Sequence, residues 1–258
     1  MPSQRLKRLR APSVVLHYHN LGSVPRAQDP HNLTVTVAAF ERQLASLRRR
    51  GYEFVTATEF AARLTGEGPP PGICWLTFDD GTTDNLEALP QILARHGARA
   101  TVFVCPGLLG QPHPGFPPEA GIRLMDANEV RELARRGPVE IGSHTNMHTP
   151  LDEADGEFAY GEMNSSKAAL EELLDRPVTS FAYPSCGYSP ACPPAARRAG
   201  YAAAVTCAFR GGWAPHELQR ESVTAFDGRL AFFLKSRRLW QAVHDSPAGR
   251  LGARIRWR

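Results

Sequence analysis

No stretch of the chain approaches the roughly 20 consecutive apolar residues of a membrane-spanning helix, so no transmembrane segment is expected. A signal peptide is not expected either. The opening "MPSQRLKRLRAPSVVLHYHN" is basic, but His17 and His19 break its apolar run "VVL" almost at once. A cytoplasmic setting is therefore the expectation. Cysteine is scarce: the five residues (Cys74, Cys105, Cys186, Cys192, Cys207) are odd in number and show no close-paired metal spacing. Three of them fall in apolar, strand-like runs and read as small core residues of a reduced protein. Repeats and low-complexity tracts are absent. A large charge excess is absent as well, since 30 basic residues face 26 acidic ones, for a net +4. That excess sits in "RLKRLR" near the start and "RLGARIRWR" at the end. Both read as solvated tails (1–12 and 246–258) around one domain, 13–245, and a nucleic-acid partner is not expected.

What is present fits a globular chain: 258 residues, 42% hydrophobic and 22% charged. Short apolar runs at 13–19, 53–56, 73–78, 100–104, 139–142, 178–183, 202–206 and 222–225 read as strands. Between several of them lie helical stripes: Phe40/Leu44/Leu47, Leu86/Leu89/Ile92/Leu93, Val130/Leu133/Ala134 and Ala169/Leu170/Leu173/Leu174. Thr58-Glu59 and Asp126 stand where helices would be capped. Strands alternating with helices predict an α/β fold, a distorted or incomplete (β/α) barrel with seven or eight parallel strands. Two Gly/Pro-rich loops interrupt the pattern, 65–72 and the long 107–121.

Barrel enzymes gather their chemistry at the carboxyl ends of the strands, and this chain puts its polar residues there. "ICWLTF" ends in Asp79-Asp80, "VEIGS" in His144, "VTSFAY" in Pro184-Ser185 and "SVVLHY" in His19. Two adjacent carboxylates repel unless a cation or another charge intervenes. "SHTNMHTP" supplies partners for a cation: His144 and His148, four apart, either on a helix face or in a turn after a strand. A thermolysin-like site would need Glu after the first His, where Thr145 stands. One Asp and two His leave a coordination position open, as catalytic sites do. The other Asp is then free to act as a base.

"LTFDDG", "SHTNMHTPL" and "FAYPSCGYSP", in this order, resemble the three motifs of the polysaccharide deacetylases, also called carbohydrate esterase family four. The lead-in "TVTVAAFERQLASLRRRGYEFVTATEF" and the following "ARHGARATVFV" resemble the branch of biofilm poly-N-acetylglucosamine deacetylases. The resemblance covers about residues 13 to 235. It implies a distorted barrel, a divalent metal and a carbohydrate N-deacetylase acting on N-acetylated amino sugars. By position, Asp79 matches the general base, and Asp80, His144 and His148 match the metal ligands. Zinc is the expected ion, with nickel, cobalt or iron as alternatives. The Ser185 N–H matches an oxyanion donor, with Tyr183 and Pro184 shaping the same wall. The arginine that many relatives use to hold the base is missing from the third motif, and Cys186 stands where glycine is common. The late Leu-x-His that supplies the general acid is also missing. "LHYHN" resembles its permuted equivalent, which makes His19 the candidate acid and His244 the runner-up; His17 shares the strand face of His19. Arg220 resembles a position near the site in relatives, with an ordinary ion pair as the alternative. Trp213 is a candidate to stack on a sugar, against core packing. Asp84 reads as a helix cap or as site support, and His113 as an exposed loop residue. Rival readings are hydrolysis of another amide or imide on the same barrel, or a silent carbohydrate-binding module.

Overall fold

The computed structural model describes residues 11–207, 212–240 and 243. His244 and most of both basic tails lie outside the described residues. Ten strands are described: β1 (Val14–Tyr18), β2 (Asn20–Leu21), β3 (Thr34–Val35), β4 (Glu53–Val55), β5 (Ile73–Phe78), β6 (Ala100–Val104), β7 (Val139–Ser143), β8 (Ser180–Ala182), β9 (Ala203–Cys207) and β10 (Leu218–Ser222). The helices are α1 (Val37–Arg49), α2 (Ala57–Ala62), α3 (Thr83–Glu87), α4 (Leu89–His96), α5 (Ala127–Arg135), α6 (Gly156–Leu174), α7 (Cys192–Arg198) and α8 (Arg229–Ser236).

Seven parallel strands close into a barrel in the order β1-β10-β9-β8-β7-β6-β5, and β5 returns to β1. Closure rests on five register pairs, from Val14↔Cys74 to Tyr18↔Phe78. β1 thus occupies one edge of β5. On the other edge β4 pairs with Ile73 to Trp75 and β6 with Leu76 to Phe78, end to end. A strand has two hydrogen-bonding edges, so β4 adds an eighth strand without widening the ring. β2 and β3 form a separate two-residue ribbon beyond the end of β1.

Side chains alternate across each strand, and this divides the core in two. Leu16, Tyr18, Leu76 and Phe78 point outward into the main cluster, which includes Phe40, Leu44 and Leu47 of α1. Val15, Trp75, Phe103, Val205 and Leu218 point inward and form a second cluster. Phe60 of α2 packs on Trp75 at 5.3 Å and belongs to this inner cluster. The Trp75 Nε1–H donates to Thr101 Oγ1 at 2.9 Å, so the one polar atom of the indole is satisfied.

Several expected boundaries move. α2 starts at a capping box of Thr56 and Glu59, with Thr58 already inside the helix. The expected 86–93 stripe splits into α3 and α4, with Pro90 in the first turn of α4, where its missing N–H costs nothing. The last barrel strand is 218–222 rather than 222–225. Its polar composition, "LQRES", hid it, because Arg220 is buried inside the barrel.

Inside the barrel Gly142 of β7 faces the Phe103 ring, which stands 2.4 Å from where a Cβ would be. Both lie in rigid, buried strands. Gly142→Ala is expected to lower stability by about 1–3 kcal/mol through overpacking. Urea denaturation checks it, and an unchanged midpoint would contradict this packing.

Candidate active site

The inward period of two that gives apolar side chains at the start of the strands gives polar ones at their ends. β1 runs Val15, His17, then His19 just beyond it; β5 runs Trp75, Thr77, then Asp79; β10 runs Leu218, Arg220, Ser222. The carboxyl end of the barrel is therefore a cavity of about 460 Å³, lined by His17, His19, Asp79, Asp80, His144, His148, Ser185 and the loop residue His113, among others.

Asp80 holds a left-handed backbone (φ 71°) followed by Gly81 (φ 73°). This turn aims the Asp80 carboxylate at the two histidines. Asp80 Oδ1 lies 3.6 Å from His144 Nε2 and 3.6 Å from His148 Nε2. Two ligands on one ion, each at about 2.0–2.2 Å in tetrahedral geometry, stand roughly 3.3–3.6 Å apart. His144 Nδ1 donates to the Ala182 carbonyl at 2.7 Å, which leaves Nε2 bare for a metal. The donor set therefore fits a divalent ion. His148 is reached by a strand-end turn rather than a helix, with Thr145 (φ 59°) and His148 (φ 56°) left-handed.

Asp79 is 3% exposed and is gripped by Arg220, which is fully buried. The two guanidinium nitrogens Nη1 and Nη2 donate to Oδ1 and Oδ2 at 2.6 and 2.8 Å. Burial alone would raise the Asp79 pKa; the Arg220 charge, followed by His17 and His144, outweighs it and holds the carboxyl well below the usual range. Arg220 was expected near the site as a substrate contact, with an ordinary ion pair as the alternative. It instead forms a bidentate pair with the candidate base, Asp79, while the third motif has no arginine of its own. His17 Nε2 stands 3.0 Å from Asp79 Oδ2 but is poorly aligned for a hydrogen bond, while its Nδ1 meets Ser222 Oγ at 3.1 Å. The same set, His17, His19 and Asp79, lies within 4.8 Å of one another. The buried Arg220 charge beside it disfavours a second cation.

His19 is half-buried and stacks against His17 with ring centroids 4.5 Å apart. Burial, then the neighbouring His17, pushes its pKa down to about 4. Asp84 and Asn85 steady this segment: the Leu21 N–H donates to Asp84 Oδ2, and Asn85 Nδ2 donates to the His19 carbonyl at 3.1 Å. Ser185 is exposed to the cavity with φ 52°, and its N–H has no protein acceptor among the described hydrogen bonds. Cys186 follows with φ 61°, consistent with a position where glycine is favoured, and it is bonded to Cys207 at the end of β9. That bond corrects the expectation of reduced, unpaired cysteines; Cys74, Cys105 and Cys192 are free and buried.

Three expectations for substrate contacts are corrected. Tyr183 is fully buried, donates to the His216 carbonyl at 2.9 Å and packs between Phe181 and Tyr188, so it is core. Pro184 is buried behind the Ser185 turn and does not line the cavity. Trp213 packs on Phe60 and over Gly68, beside the loop that leads into β5, at the opposite end of the barrel. His113, expected to be exposed, is 5% exposed and lines the cavity. The length of its loop was the only signal.

Burial, first of all, pushes His144 down to about 4, whereas an unfolded histidine titrates near 6.5. The folded value is depressed, so the unfolded chain binds more protons below pH 6.5. Stability therefore falls as pH drops from about 6.5 toward 4. His144 alone contributes a slope on the order of 1.4 kcal/mol per pH unit, with a smaller, solvent-screened share from His19. Urea midpoints of chelator-treated protein at pH 7, 6 and 5 check this; a flat profile would contradict it.

Residues 66–204, which hold the Asp79-Asp80 and His144-His148 motifs, match the polysaccharide deacetylase family. YxkH of Bacillus subtilis (strain 168), whose name places it among the polysaccharide deacetylases, is 29% identical over 193 residues, covering 74% of this chain and 63% of its own length. The chain thus spans less than two thirds of that relative. The deacetylase PplD of Streptococcus pyogenes shares the fold with a TM-score of 0.72 at 24% identity, over 88% of this chain and 98% of PplD. IcaB from Ammonifex degensii does so with a TM-score of 0.71 at 24% identity, over 90% and 97%. By this match over residues 66–204, more than half of its length, the chain belongs to the polysaccharide deacetylase family.

Proposed function

We propose that this chain is a zinc-dependent hydrolase that removes N-acetyl groups from an N-acetylated amino sugar. The observation that carries the reading is the pairing of a three-donor set (Asp80, His144, His148) with a second, separately held carboxylate, Asp79, 3.8 Å from His144 Nε2. A divalent ion held by that set supplies Lewis-acid chemistry, polarising the acetyl carbonyl and making water more acidic. Imidazole and carboxylate together suit zinc, and nickel, cobalt or iron(II) fit the same donors.

The chain's own groups divide the remaining work. Asp79 is ionised at neutral pH and accepts the proton of the attacking water. Its low proton affinity makes it a relay rather than a store. His19, within 4.8 Å of Asp79, receives that proton. With its pKa pushed down to about 4, it gives the proton up readily to the departing amine as the C–N bond breaks. Acetate and the free amine are the products, and no co-reactant beyond water is needed. Ser185 lines the cavity, and its N–H, which has no acceptor among the described hydrogen bonds, stabilises charge on the acetyl oxygen in the transition state. The partner is a carbohydrate bearing N-acetyl groups, and no described helix is long and apolar enough to cross a membrane.

Acetate release from monomeric, oligomeric and nucleotide-linked N-acetylglucosamine, with zinc and after chelation, tests the reading. Zinc-dependent release from at least one substrate is expected. Release from none of them by zinc-loaded protein would overturn the amino-sugar assignment in favour of another amide. Asp79→Asn is expected to lower kcat by about 10²–10⁴-fold with zinc content unchanged; a loss of zinc instead would make Asp79 a ligand. Arg220→Lys removes the bidentate clamp and so raises the Asp79 pKa. The acidic limb of the kcat/KM profile is expected to move to higher pH, and an unmoved limb would count against Asp79 as the base.

A further inference from the structure

The Asp80 carboxylate has two oxygens, and the proposed site uses one of them. Oδ1 faces His144 and His148. Oδ2 faces away from them, toward His113, whose Nε2 is 2.9 Å away. His113 comes from the long loop between β6 and α5, remote in sequence from every motif residue. Three features hold its ring. The Gly115 N–H donates to His113 Nδ1 at 2.9 Å. The Phe116 ring packs against it edge-on, with centroids 5.0 Å apart. Gly115 itself leaves room: a Cβ there would stand 3.1 Å from His113 Cε1.

The tautomer follows from the first of these contacts. A neutral imidazole has one N–H and one bare nitrogen. Nδ1 accepts the Gly115 N–H, so it is the bare one. Nε2 therefore carries the proton and donates it to Asp80 Oδ2. With a proton on Nε2 and an acceptor role on Nδ1, His113 has no lone pair to offer an ion, so it is not a fourth ligand. The loop is also fastened to the Asp80 turn by backbone bonds. Met125 N–H donates to the Gly81 carbonyl at 2.9 Å, and Thr83 N–H to the Arg123 carbonyl at 3.1 Å.

We propose that His113 is a positioning residue for the metal site: its Nε2–H occupies Asp80 Oδ2, fixes the carboxylate plane and presents Oδ1 alone to the ion. This rests on the metal-site reading above. Hydrogen bonds to a ligating carboxylate orient it, and their loss typically weakens metal affinity by about 10–100-fold. A carboxylate freed at Oδ2 can rotate about its terminal bond and must be re-ordered on each binding event.

The test measures zinc affinity by competition with a chromophoric chelator for the full chain, His113→Met, His113→Leu and His113→Gln, with folding followed by circular dichroism. Met and Leu fill the space but cannot donate; either one, if folded, carries the test. The expected result is a Kd for zinc about 10–100-fold weaker in these variants, with partial recovery in His113→Gln, whose amide N–H can donate. A zinc Kd within twofold of the parent in a folded Met or Leu variant overturns the proposal while leaving the metal site standing. A parent chain that binds no zinc overturns the metal-site reading and this proposal with it.

Discussion

The buried ion pair between Arg220 and Asp79 is the constraint on which the rest of the site depends. It joins β10 to β5 across the barrel interior, where both charges are almost wholly removed from water. Such a pair is weak as a source of stability, because desolvation cancels much of the attraction, but removing one partner strands the other. Its value lies in definition. Two N–H donors on two carboxylate oxygens leave Asp79 one orientation and one protonation state. With that carboxylate held apart by a cation of the protein itself, the adjacent Asp80 is free to face the histidines. Two neighbouring carboxylates are thereby kept charged side by side, each with its own positive partner, actual or proposed.

The barrel makes this possible by dividing its interior along the strand axis. The same inward-facing period of two supplies Val15, Trp75 and Leu218 below and His19, Asp79 and Ser222 above. Trp75, Phe103 and Phe60 fill the lower part, so the polar layer rests on a packed apolar one. Low polarity beneath the site strengthens the electrostatics above it. It also explains why the imidazoles of His19 and His144 are held neutral.

Backbone strain is concentrated at the same end. Five of the eight non-glycine residues with positive φ among the described residues are Asp80, Thr145, His148, Ser185 and Cys186. Each such conformation costs on the order of 1 kcal/mol or more. Surrounding contacts hold them: the Asp80 turn is bonded to the loop at Met125, and Cys186 is bonded to Cys207. The turns that aim the candidate ligands and the candidate oxyanion donor are thus imposed by the fold rather than preferred locally.

Much of this was legible in the sequence, and the boundary of what was legible has a physical basis. Alternation and helical periodicity are local, so the parallel α/β architecture and most strands could be read directly, as could the motif pairs Asp79-Asp80 and His144-His148. Adjacent or near-adjacent residues keep their relation in any fold. Contacts across the ring are another matter, because they depend on closure and register. Only the tertiary structure put Arg220 against Asp79, 141 positions away, and His113 against Asp80, 33 positions away. It also decided that Tyr183 and Trp213 belong to packing, since the face on which an aromatic lies is a property of the barrel and not of the residue. Last, it paired Cys186 with Cys207, which no spacing rule announced, because the turn after β8 meets the end of β9 only once those two strands lie side by side in register.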